Sequence, residues 1–194
     1  MTKPLRILLL EDSESDAKLI QHELERLGTI AETKRVVSES AFRVAVAEFA
    51  PDVVLSDHSL SSFDAPAALT ILRSQRPTTP FIIVTGSLKI DNAIACIRAG
   101  AEDVILKENL WRLAASVTTA LSARRPLEKL TSRQLEVLAL VTRGKRTRDI
   151  AKHLNVSVKT VESHRGEIMK RLEIHDVVSL VHFAMRVGLV TPVQ

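Results

Sequence analysis

Four short apolar runs in the first two-thirds of the chain lead into side chains that could do chemistry. Leu5–Leu10 is followed by Glu11 and Asp12, Val53–Leu55 leads to Asp57, Phe81–Val84 to Thr85, and Val104–Leu106 to Lys107. Carboxylates brought together repel one another unless a cation lies between them. A hard divalent ion that keeps several waters, Mg2+ above all, suits one or two carboxylates plus a phosphoryl oxygen. The Lys107 ammonium would neutralise a second phosphoryl oxygen, and the Thr85 hydroxyl would donate to a third. Asp57 is then placed to attack phosphorus and become an acyl phosphate. The ion and Lys107 would supply the charge stabilisation that phosphoryl transfer mainly requires.

That chemistry needs the four runs to be neighbouring parallel strands, because ligands of open α/β sheets bind beyond the carboxyl ends of the strands. The sequence supports the arrangement. Unbroken aliphatic runs of this length suit strands covered on both faces, and a weaker strand is expected through Ala31–Val37. Helical patterns separate them. Ala17, Ile20, Leu24 and Leu27 recur at helical spacing before Gly28, which is placed to end that helix. Further helices are expected at about 39–49, from Pro66 to before Pro77, over 91–99 ahead of Gly100, and over about 110–123, the last carrying Trp111. Five βα units in a row predict an α/β fold with an open, doubly wound parallel sheet.

Composition is that of a globular chain, 45% apolar and 26% charged. The start lacks the apolar length of a secretory segment or a membrane span. The single cysteine, Cys96, has no partner for an internal disulfide, which agrees with a reducing, cytoplasmic setting, and reads as a small core hydrophobe. Charge is divided unevenly. Residues 1–123 hold 13 Lys and Arg against 16 Asp and Glu, whereas residues 124–194 hold 14 against 7, which together give the net +4. A basic second half is what a polyanion-binding domain needs.

The second half has no strand pattern and reads as four helices. Thr131 and Gln134 fit a capping box, and Gly144 closes the helix that they open. A second helix runs from about Thr147 to Leu154, Asn155 allows a tight turn, and Ser157 caps a third helix reaching Leu172. Two helices joined by so short a turn form a helix-turn-helix, whose second member enters the major groove of double-stranded DNA. On the third helix Val158, Val161, Ile168 and Leu172 make one apolar stripe, expected in the core. Lys159, Ser163, Gly166 and Lys170 form a small, basic opposite face, flanked by Thr160 and by Glu162, which could accept from a cytosine amino group. Arg165 falls within the apolar stripe, so its guanidinium is expected to reach a carboxylate such as Glu136, or a phosphate. Arg146, Arg148 and Arg171 are phosphate candidates that would position the domain without reading sequence. His153, His164, His175 and His182 do not make a metal set. A last helix over about 176–187 has one apolar face.

The pieces RILLLEDSES, VVLSDHSLSSFDA, PFIIVTGS and AGAEDVILKENL, within residues 4–122, resemble the receiver domain of bacterial response regulators. The block from Leu130 to Asp176, LTSRQLEVLALVTRGKRTRDIAKHLNVSVKTVESHRGEIMKRLEIHD, resembles the LuxR/FixJ-type helix-turn-helix. The resemblance implies a flavodoxin-like five-stranded sheet of order 2-1-3-4-5 over residues 1–123, a short linker at 124–130 and a four-helix DNA-binding domain over 131–194. It implies that a sensor histidine kinase phosphorylates Asp57. Glu11 and Asp12 match the acidic pair, and Mg2+ would be held with Asp57 and the backbone carbonyl of Ser59. Thr85 matches the switch hydroxyl and Lys107 the phosphate-binding lysine. An active homodimer on DNA, and contact with RNA polymerase, also follow from the family. One departure stands out: Val104 occupies the place of the family's switch Tyr or Phe. An alternative keeps DNA binding but replaces phosphorylation with a constitutive dimer or a controlling ligand. A Mg2+-dependent phosphohydrolase is disfavoured, because the chain has no insertion long enough to cap a substrate.

Overall fold

The computed structural model describes residues 3–58, 60, 63–87, 89–187 and 189. The chain divides into two compact units, residues 1–122 and 123–194. The first unit contains the strands β1 (Leu5–Leu10), β2 (Ala31–Val36), β3 (Val53–Ser56), β4 (Phe81–Thr85) and β5 (Asp103–Leu106). They alternate with the helices α1 (Glu14–Leu24), α2 (Glu39–Glu48), α3 (Ala65–Gln75), α4 (Ile90–Arg98) and α5 (Leu113–Arg124). All strand pairs are parallel, in the order β2-β1-β3-β4-β5.

The aliphatic runs divide between the two faces of the sheet because successive strand side chains point in opposite directions. Leu8, Leu10, Val54, Phe81 and Ile83 pack with residues of α2 and α3, including Phe42, Val46, Leu69 and Leu72. Ile7, Leu9, Val53, Leu55, Ile82, Val84 and Ile105 pack on the other face with Ile20 and Leu24 of α1 and with Leu113 and Val117 of α5. Covering both faces puts the polar ends of the strands at one edge and keeps their bodies dry. Arg73 and Glu102 brace the opposite end. Arg73 donates to the carbonyls of Thr79 (2.6 Å) and Gly100 (2.7 Å), and Glu102 accepts from the Phe81 N–H.

Helix ends follow their local chemistry. Ser13, Ser38 and Asp64 cap α1, α2 and α3 with their side chains, and Gly28 takes the left-handed conformation (φ 64°) after a short 3-10 extension of α1. Two elements differ from the sequence pattern. The stretch expected to begin the last helix of this unit is a 3-10 turn, Lys107–Arg112, in which Trp111 is 65% exposed and so belongs to no core. Helix α4 buries only Cys96 and leaves Ile90, Ile94 and Ile97 exposed, so its apolar pattern is not matched by a covering element within this unit.

The second unit holds α6 (Ser132–Thr142), α7 (Thr147–Leu154), α8 (Val158–Leu172) and α9 (Val177–Arg186). Thr131 and Gln134 make both bonds of the capping box. Their core joins Val137, Leu138, Ile150, Val161, Ile168, Leu180 and Phe183. The stretch 124–130, expected as a polar linker, contributes to this core instead. It contains a 3-10 turn, Arg125–Lys129, and buries Leu127 and Leu130 with the helices. Two leucines three residues apart fall on one side of such a turn, which explains why they dock together.

Candidate functional site

The strand order sets β1, which leads to Glu11, beside β3, which leads to Asp57. It sets β4, which ends in Thr85, beside β5, which leads to Lys107. The Asp57 N–H donates to the Leu10 carbonyl at 2.8 Å, fixing this turn against the end of β1. Glu11 is fully buried, and one of its oxygens accepts from the Ser13 N–H at 3.0 Å. Its other oxygen lies 2.8 Å from the Lys107 ammonium. The same ammonium is 2.8 Å from Asp57 Oδ2 and 2.5 Å from Asp16 Oδ2. Three carboxylates, following β1, in α1 and following β3, thus share one cation that is itself only 17% exposed in its side chain.

The electrostatics follow from this crowding. Burial alone would lower the Lys107 pKa, but hydrogen bonds to Asp16, Asp57 and Glu11 outweigh it and hold the ammonium firmly protonated. Burial pushes the Glu11 carboxyl above its ordinary value, although Lys107 and the Ser13 N–H act in the opposite direction. Asp12 is exposed at the mouth, and its carbonyl and that of Glu11 each accept from Arg35 at 3.2 Å.

Glu11, Asp57 and Lys107 therefore meet as the sequence led one to expect. Thr85 stands at the end of β4, 4% exposed, where its hydroxyl donates to the Ser87 carbonyl at 3.3 Å. Ser59, expected to offer a carbonyl to the metal, lies outside the described residues. Val104 pairs with Ile83 across β4 and β5 and is half-buried against the core. Asp16 was missed. Its place in the first turn of α1 reads as an ordinary acidic helix start, and only the path of α1 from β1 aims it at Lys107. Among the described residues no three Asp, Glu, His or Cys side chains form a closed metal cage. The donor set nevertheless fits Mg2+: hard oxygen ligands, an excess of carboxylate over ammonium, and an exposed Asp12 at the mouth, where an ion could keep its waters.

Beyond His58 a cavity of about 400 Å³ opens between α3 and α4. It is lined mainly by small apolar side chains, with Leu69, Ile83 and Cys96 among them and Asn92 as a polar exception.

In the second unit α7 and α8 are joined through Asn155, which is left-handed at φ 52°. Lys159, Glu162, Ser163, Gly166 and Lys170 of α8 are exposed, as are Arg146 and Arg148, whereas Thr160 and Arg165 are half-buried. Beyond its own stretch of helix, a Cβ at Gly166 would meet no atom of the described residues within 4 Å, so packing among them does not demand glycine there. Two expectations are corrected. Val158 is 40% exposed, because as the first residue of α8 it precedes the part of the helix that crosses the core. Among the described residues Arg165 reaches no carboxylate: it donates to the Thr147 hydroxyl at 2.9 Å, and Glu136 pairs with Arg133 at 2.7 Å. Arg171 donates to the Lys129 carbonyl at 2.7 Å, so its guanidinium ties α8 to the 3-10 turn of its own unit.

Comparison with known proteins agrees with both halves. Residues 7–118 match the family described as "Response regulator receiver domain", and residues 128–184 match "Bacterial regulatory proteins, luxR family". The chain belongs to the response regulators that join a receiver domain to a LuxR-type helix-turn-helix DNA-binding domain, a regulatory family. It is similar to the transcriptional regulatory protein LiaR of Bacillus subtilis strain 168, with 27% identity over 219 aligned positions covering 96% of this chain and 99% of LiaR. The fold is shared with RcsB from Salmonella enterica serovar Typhimurium bound to promoter rprA in the presence of phosphomimetic BeF3-. In that comparison the TM-score is 0.53, identity is 20%, and 92% of this chain and 98% of RcsB are covered. A structure of two RcsB dimers bound to two parallel DNAs matches with TM-score 0.55 and 21% identity, covering 93% and 98% of the two chains. Among the described residues no helix is long and apolar enough to cross a membrane.

Proposed function

We propose that this chain is a cytoplasmic, phosphorylation-gated transcriptional regulator in which a sensor histidine kinase phosphorylates Asp57 and the second unit then binds promoter DNA as a homodimer. The observation that carries the reading is the Lys107 ammonium 2.8 Å from the Asp57 carboxylate at the strand ends. In the transfer an Asp57 oxygen attacks phosphorus, and a P–O bond forms as the phosphorus–nitrogen bond of the kinase's phosphohistidine breaks. The leaving imidazole nitrogen carries off the electron pair and takes a proton from solvent. Lys107 meets charge on the phosphoryl oxygens, and Thr85 turns its hydroxyl from Ser87 toward another of them. Asp12, Asp57 and the Ser59 carbonyl would hold Mg2+, with Glu11 setting their charge from behind. The ion would neutralise phosphoryl oxygen and fix its orientation. Loss of the phosphoryl group to water at the same residues makes the receiver assist its own resetting.

On DNA, α8 is the recognition helix. Lys159, Thr160, Glu162, Ser163, Gly166 and Lys170 face the groove, while Arg146 and Arg148 take phosphates. Arg165 and Arg171 brace the helix through their bonds within the unit and meet the backbone at its margin. Contact with RNA polymerase belongs to the same reading. A second reading, control by a small apolar ligand rather than by phosphate, draws on the cavity between α3 and α4, whose size falls in the range of small-molecule sites.

The test is intact-mass and peptide analysis after treatment with phosphoramidate and Mg2+. One phosphoryl group on Asp57, absent from Asp57→Asn, is the expected result. No labelling, or labelling elsewhere, overturns the phosphoacceptor assignment and leaves the ligand reading in its place.

A further inference from the structure

Lys107 carries one more carboxylate than phosphoryl transfer at Asp57 needs. Asp16 Oδ2 stands 2.5 Å from the ammonium, nearer than Asp57 or Glu11 at 2.8 Å. Because both oxygens contact one nitrogen, those of Asp16 and Asp57 lie at most 5.3 Å apart. Asp16 is held there by the site itself. Glu11 accepts the Ser13 N–H at 3.0 Å, and the Ser13 hydroxyl accepts the Asp16 N–H at 3.3 Å. Its carboxylate then reaches across to the end of β5 rather than closing on its own helix. An exposed ion pair contributes little, but this ammonium is mostly buried and shared between three carboxylates.

We propose that Asp16 is a positioning residue that holds the Lys107 ammonium in the unphosphorylated receiver and must yield it to the incoming phosphoryl group, acting as a brake on phosphorylation of Asp57. The inference rests on the reading of Asp57 as the phosphoacceptor. Transfer replaces the single charge of that carboxylate with roughly −1.5 to −2 on the phosphoryl group. In forming the new P–O bond and breaking the donor's bond to phosphorus, the site gains negative charge at the end where Asp16 already stands. Lys107 has to turn toward the phosphoryl oxygens, leaving Asp16 with less of its counter-charge. The penalty grows with the charge on the donor.

The experiment measures rates of Asp57 phosphorylation in the full chain at saturating Mg2+, with wild type, Asp16→Asn, Asp16→Glu and Asp57→Asn. Two donors are used, phosphoramidate (largely a monoanion) and acetyl phosphate (a dianion). Asp16→Asn is expected to react faster by roughly 3–10-fold, the size of a unit charge removed from a partly screened site a few ångströms away. The gain is expected to be larger for acetyl phosphate and smaller at high salt, and Asp16→Glu should return toward wild type. A purely structural role would change both donors alike and would show as a lower melting temperature. Equal or slower rates in a folded Asp16→Asn protein, or the same gain with both donors, overturn the brake. If wild type takes no phosphate at Asp57, the phosphoacceptor reading fails and the brake with it. Labelled wild type with an unaltered Asp16→Asn rate removes the brake alone.

Discussion

Replacing Gly166 with alanine separates what α8 needs for stability from what it needs on DNA. Gly166 lies inside a helix of 15 residues, Val158–Leu172, on its exposed face. Glycine within a helix costs about 0.5–1 kcal/mol relative to alanine. Beyond its own stretch of helix, no atom of the described residues lies within 4 Å of the added Cβ, so no clash offsets that gain. In a domain this small, each 1 kcal/mol raises Tm by roughly 4–8 °C, so the variant should melt roughly 2–8 °C higher. Calorimetry on the full chain, following the transition of the second unit, measures it. On DNA the same methyl would stand between the helix and the groove, and affinity is expected to fall about tenfold, or about 1.4 kcal/mol. A lower Tm would refute the packing argument. A higher Tm with unchanged affinity would show that this face does not approach DNA closely.

Three further outcomes follow from the geometry. Lys107→Ala leaves Glu11, Asp16 and Asp57 without their shared cation and should destabilise the first unit by about 3 kcal/mol, with millimolar Mg2+ restoring part of the loss in denaturant titrations. Asp176 caps α9 by accepting from the Ser179 N–H at 2.8 Å and hydroxyl at 2.6 Å, and these bonds hold its carboxyl below the ordinary value. The stability it adds is therefore present above the ordinary carboxylate range and lost as pH falls through the depressed value; Asp176→Asn should flatten that part of the acid-unfolding profile followed by circular dichroism. Arg148→Ala should weaken binding to all DNA sequences similarly and reduce the salt slope of log affinity by about 0.9, measured by titration at several salt concentrations.

The parts of the site that are legible in sequence are those fixed by the sheet. Glu11, Asp57 and Lys107 each follow an aliphatic run, and parallel strands in neighbouring positions leave them little choice but to converge. The turn and caps of the second unit are legible for a similar reason: Thr131, Asn155 and Ser157 act on backbone groups within a few residues of themselves. Contacts that depend on how elements pack are not legible. Asp16 meets Lys107 across 91 positions of sequence, and nothing in its neighbours distinguishes it from a solvated helix start. Arg165 donates to a hydroxyl of α7, and Glu136 pairs with Arg133 on its own helix, neither of which the one-dimensional pattern specifies. Leu127 and Leu130 look like isolated apolar residues in a polar connection, and only the 3-10 turn brings them onto the core.

The central claim is that phosphate on Asp57 governs DNA binding, and its most direct measurement is promoter-DNA affinity with oligomeric state monitored in parallel. Wild type and Asp57→Asn are titrated against DNA from a selected-site pool in Mg2+, with and without phosphodonor. Tighter binding and a shift to dimer in wild type alone, with Asp57→Asn unmoved, is the expected result. Equal affinity for both proteins in all conditions would contradict phosphorylation gating while leaving DNA binding by α8 intact.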